Sequence, residues 1–96
     1  METLAAFKQS LNLEEPAAGL SVQLRSLWYD GKGDWRQAHA QGDQLTDQAS
    51  AWVHAYLHRK EGHVWNADYW YNKAGQTRPD TSLEKESEGL VVEFLG

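Results

Sequence analysis

The chain has 96 residues, 41% of them hydrophobic and 24% charged, with a net charge of −5 and no cysteine. That length fits one domain with one modest core. Eleven aromatic residues exclude a wholly disordered chain, the acidic balance argues against unspecific nucleic-acid binding, and the lack of cysteine excludes disulfide scaffolds, thiolate metal sites and cysteine nucleophiles.

The N-terminal Met1-Glu2-Thr3-Leu4-Ala5-Ala6-Phe7-Lys8 lacks the basic start and apolar core of a signal peptide. No run approaches the roughly 18 apolar residues of a membrane span. A soluble, cytoplasmic protein is the expectation. Leu4, Phe7 and Leu11 recur at helical spacing behind Thr3, a suitable N-cap. Pro16 suits the first turn of a second helix, where its missing N–H would be unpaired anyway. That helix would bury Leu20, Leu24, Leu27 and Trp28 and stop at Asp30-Gly31-Lys32-Gly33.

Asp34 is placed to cap a third helix, with Gln37 closing a capping box. Trp35, Ala38, His39, Gly42 and Leu45 fall on one side of it. A fourth helix should start near Thr46 or Asp47 and run to Glu61, with Gly62 as its stop. A fifth should cover Val64 to Ala74. After the connection through Pro79, Thr81-Ser82-Leu83-Glu84 reads as a capping box for a last helix whose stripe is Leu83, Leu90, Val91 and Phe94. No run alternates with period two for more than a few residues. The expected fold is a single all-α domain over residues 1–96, with five to six helices in antiparallel hairpins.

The chain repeats itself weakly at an offset of 29 residues. With Gly33 set over Gly62, Leu24 meets Val53, Ser26 meets Ala55, Leu27 meets Tyr56, Trp35 meets Val64 and Ala38 meets Ala67. Each unit is a helix, a glycine turn and a second helix, with small residues where two helices would cross closely.

The second unit resembles a tetratricopeptide-type repeat. Ala55, Ala67 and Ala74 take its small positions, Tyr71 its large aromatic one and Pro79 its terminal proline. Ala67-Asp68-Tyr69-Trp70-Tyr71-Asn72-Lys73-Ala74 is also similar to the Sel-like variant. The resemblance covers roughly Ser50 to Pro79 and implies a short helical array that binds protein or peptide. More narrowly, His54-Ala55-Tyr56-Leu57-His58-Arg59-Lys60-Glu61-Gly62, followed by Asn66-Ala67 and Tyr69-Trp70-Tyr71, resembles a group of small uncharacterised bacterial and fungal proteins. That group tends to carry Asp after the turn glycine, where this chain has His63. It brings no activity with it.

His54 and His58 lie four apart on one helix face, with Glu61 three further on and Asp47 and Ser50 along the same stripe. Two histidines so spaced can ligate zinc, with a carboxylate as third ligand. The His-Glu-x-x-His arrangement of metalloproteases is absent. The plainer reading packs both histidines against the next helix, hydrogen-bonded to Tyr71 or a carboxylate. His39 sits on the apolar side of its own helix and would approach them if the units stack. Catalytic candidates are therefore His54, His58, Glu61 and His39. No metal ligand set is complete from spacing alone, and neither a metal nor a cofactor is expected.

Asp30-Gly31-Lys32-Gly33-Asp34 fails as a calcium loop, because Lys32 and Gln41 stand where oxygen ligands are needed. Gly31-x-Gly33 follows a helix and is no dinucleotide fingerprint. Trp52, Tyr56, Trp65 and Tyr69 are either core or the lining of a groove for a partner, with Arg59 beside Trp52 and Tyr56 to stack or bind a carboxylate. The functional expectation is a non-enzymatic module for a protein or peptide, with a second copy of the chain as one option and neither nucleic acid nor membrane as partner. The alternative is a small enzyme or metal-dependent protein built on His54, His58 and Glu61.

Overall fold

Six helices form where caps and apolar stripes call for them: α1 (Leu4–Ser10), α2 (Val22–Gly31), α3 (Trp35–Gly42), α4 (Gln48–Lys60), α5 (Val64–Lys73) and α6 (Leu83–Leu95). The computed structural model describes residues 3–42, 45 and 47–96, and among them there is no strand. The all-α class read from the sequence holds. No described helix is long and apolar enough to cross a membrane.

Side-chain caps fix the helix starts. Thr3, Ser21, Asp47 and Ser82 each accept a backbone N–H three residues on. Asp34 does the same for Gln37, at 3.1 Å. A cap of this kind contributes about 1 kcal/mol.

Two starts and one end differ from expectation. Pro16 is not in a helix: Gly19 turns the chain at φ +85° and Ser21 caps α2 five residues beyond the proline. A competing cap next to a left-handed glycine outweighed the proline preference. The last helix opens at Ser82 rather than Thr81, so its capping N–H belongs to Lys85 and Glu84 plays no part. α4 starts at Asp47, one of the two expected positions, and Thr46 lies outside the described residues. Leu45 is beyond the end of α3 and exposed.

The two hairpins read from the repeat are present. In the first, α2 packs along α3; in the second, α4 packs along α5. Each tight turn needs a left-handed residue, supplied by Gly33 at φ +79° and Gly62 at φ +85°. At the first crossing Ser26 Oγ donates to the Ala38 carbonyl at 2.6 Å. At the second, Ala55 and Ala67 are both fully buried. These small residues let the helix axes close to about 8–10 Å.

α2 and α4 also touch each other, α3 touches α4, and α6 runs against both α2 and α4 with α1 packed on it. The main core joins Phe7, Leu24, Leu27 and Trp28 to Tyr56, Leu57, Leu90 and Val91. Two buried carboxylates clamp the helices across this core. Asp30 accepts from the Tyr56 hydroxyl at 2.7 Å and from Lys60 Nζ at 2.7 Å. Glu86 accepts from Arg59 Nη1 at 2.7 Å and from the Tyr71 hydroxyl. Arg59 also donates to the Thr81 carbonyl. Burial first, and then the neighbouring carboxylate, raises both phenols above the ordinary tyrosine range, so each stays a donor.

Candidate functional site

α3 and α5 stand on either side of one face of α4, and all four histidines of the chain meet in the furrow between them. The 3.6-residue period puts His54 and His58 on the floor. Their ring centroids are 6.2 Å apart. His39 crosses over from α3 and lies 5.6 Å from His54 and 5.3 Å from His58. His63, in the turn before α5, is 5.8 Å from His58.

Tryptophans form the walls. On α3, Trp35 rests against His39 at 4.2 Å. On α5, Trp70 rests against His54 at 4.8 Å. Beyond Trp70 the wall continues into Tyr69, with Lys73 Nζ 5.3 Å above the Tyr69 ring and 5.8 Å from Trp70. A crevice between α2, α3 and α4, bordered by Ser26, Val53, His39 and His54, has about 10 Å³ of free space. That is about the room for a single water molecule.

His54 is buried, His39 and His58 are half-buried, and His63 is exposed. His58 Nδ1 is buried and makes no hydrogen bond. Burial of the His58 ring, helped by His54 and His63, holds its pKa below the ordinary histidine range, so the neutral form is favoured. Among the described residues no three histidine, aspartate or glutamate side chains present their donor atoms around a common point as the rings stand.

The catalytic candidates named from the sequence therefore separate. His39, His54 and His58 come together. Glu61 turns to another crevice, with Asp30, Gly33, Trp35 and Lys60. Tyr71, suggested above as a hydrogen-bond partner for the histidines, gives its hydroxyl to Glu86 instead.

The binding candidates separate too. Tyr56 is 2% exposed and belongs to the core. Trp52 packs against Phe94 at 5.9 Å, and Arg59 is held by Glu86 and Thr81. Trp65 and Tyr69 face out, 82% and 50% exposed.

His63 was missed from the sequence as a member of the cluster. A signal for it existed: histidine is a poor N-cap, and His63 stands at the cap of α5 with no capping hydrogen bond. A broken local rule of this kind marks places where another demand is being met. Compared with known protein families, curated proteins and solved structures, the chain matches none.

Proposed function

We propose that the chain is a non-enzymatic binding domain for a protein partner, with its contact surface on the outer side of α5. The observation that carries this reading is the exposure of Trp65, which is 82% open to solvent with Tyr69 on the same helix at 50%. Large aromatics dominate the energetics of interfaces, where they fill pockets at little entropic cost. Lys73 sits over Tyr69 and gives the patch a cation. A segment presenting an apolar side chain beside a carboxylate fits that chemistry. An enzymatic reading has less support, because Glu61 lines a different crevice from His39 and His54 and the crevice beside those two holds about 10 Å³.

A photo-crosslinking residue placed at Trp65 tests the proposal in cells. A discrete adduct is expected from that position and none from Glu84, which is exposed on α6. The Trp65→Ala, Tyr69→Ala double variant, with the crosslinker moved to Asn72, should lose the adduct while keeping its thermal midpoint. An adduct of twice the chain mass would identify a second copy as the partner. Equal labelling from both faces, or an adduct that survives the double variant, would overturn the reading.

A further inference from the structure

We infer that His39, His54 and His58 form a three-imidazole site for a divalent transition-metal ion of the kind imidazole suits, such as Zn²⁺. Spacing along the chain argues against this, because the pair on α4 lacks a third ligand within its own helix. The fold supplies that ligand from α3. Three imidazoles on one metal, with Zn–N about 2.0 Å and each ring centre about 1.1 Å behind its nitrogen, put their centroids about 5 Å apart in tetrahedral geometry. The three separations here are 5.3, 5.6 and 6.2 Å.

The triangle is thus already close to size, although among the described residues no three such side chains are placed to hold a metal ion as they stand. Turning their nitrogens to one point needs rotation about the ring torsion, which is broad for histidine, together with small shifts of Trp35 and Trp70, which pack on His39 and His54. His58 Nδ1, buried and without a hydrogen-bond partner, is the kind of atom a ligand would satisfy. Water or a partner's side chain would complete four-coordination from the open side of the furrow. His63 borders His58 but lies outside the triangle.

The test is titration of metal-stripped, tag-free protein with Zn²⁺ by calorimetry, and with Co²⁺ by visible absorption. One-to-one binding is expected, with the intense visible bands of a tetrahedral Co²⁺ centre. His39→Gln and His58→Gln should each weaken it by tenfold or more, on the order of what even outer-shell changes cost. His63→Ala should leave it nearly unchanged. Because both glutamine variants alter half-buried positions, circular dichroism must show retained helix; His54→Ala, at a buried position, is not needed. Three results would overturn the site: no one-to-one binding, binding unchanged in both folded glutamine variants, or binding lost in His63→Ala and retained in His39→Gln. Zn²⁺ binding alone leaves the partner surface of α5 untouched, so failure here and failure of the crosslinking experiment are independent.

Discussion

At the turn of the first hairpin Asp34 accepts the Gln37 N–H, while at the same place in the second hairpin His63 makes no such bond. The backbone of the two turns is otherwise alike. Asp34 N donates to the Tyr29 carbonyl at 2.9 Å, and His63 N to the His58 carbonyl at 2.9 Å. Both turns end a helix on a left-handed glycine. The crossings differ as well, with a Ser26 hydrogen bond in the first and bare Ala55–Ala67 contact in the second. The first hairpin therefore follows local stability rules throughout. The second gives up a cap, and the residue responsible lies beside the His58 imidazole. Where a repeated unit departs from its own plan, the local rule has given way to another demand at that place.

The largest test of this comparison concerns the two carboxylate clamps. Arg59 is 18% exposed against 41% for Lys60, so Glu86 holds the drier cation. Glu86→Ala leaves Arg59 and the Tyr71 hydroxyl without their partner, and should cost about 3 kcal/mol in urea unfolding. Asp30→Ala should cost less, about 1–3 kcal/mol, mainly through the orphaned Tyr56 hydroxyl. The reverse order would mean that the cation's exposure does not decide the cost.

Overpacking the second crossing comes next. Ala67→Leu adds three heavy atoms at a fully buried contact and should cost about 1–3 kcal/mol. Asn66→Ala, exposed on the same helix, should stay within about 0.5 kcal/mol. Thermal unfolding that ranked these two variants the other way would show that Ala67 is not at the crossing.

A gain is expected from the turn itself. His63→Asp copies the first hairpin into the second and should stabilise the protein by about 0.5–1 kcal/mol through a new cap. An unchanged thermal midpoint would mean the missing hydrogen bond is not a cost at that turn.

The smallest effect is at Asp47, which caps α4. The Ser50 hydroxyl, more than the Ser50 backbone N–H, holds its carboxyl below the ordinary range of 3.8. A depressed carboxyl pKa contributes stability that is fully present above about pH 4 and is lost as pH falls through the lower folded-state value. Asp47 is exposed, so only a few tenths of a kcal/mol are at stake. Asp47→Asn keeps a capping oxygen and should remove that part of the acid dependence. Urea titrations at about pH 5 and about pH 2.5 would show it, and an identical acid loss in both proteins would assign it to other groups.

Much of the fold could be read locally. Ser26, Ala38, Ala55 and Ala67 announced the crossings because a repeat at fixed offset aligns them, and Gly33 and Gly62 announced the turns. Pro16 misled, since proline's preference for a first helical turn carries no information about a stronger cap at Ser21. The Asp30 and Glu86 clamps were illegible, because each joins groups brought near by tertiary packing, 26 residues apart for Tyr56 and Asp30. The candidate site was half legible. The helical period gives His54 and His58 a common face, but the arrival of His39 depends on how α3 lies over α4. The period also placed Glu61 within reach, whereas it lines the crevice of Asp30, Trp35 and Lys60.

α5 ends the row of hairpins, resting on α4 through Ala67 and Tyr71 and reaching α6 by the Tyr71–Glu86 hydrogen bond. Such an arrangement need not melt all at once. Once that latch opens, α5 can swing away about Gly62 while α2, α4 and α6 keep their shared core. Amide protons of residues 64–73 would then exchange with solvent by a partial opening, at lower free energy than those around Val53 to Leu57, which wait for the whole domain. The helix carrying Trp65 can therefore open without the shared core, and a partner that grips it would slow the exchange of that helix first.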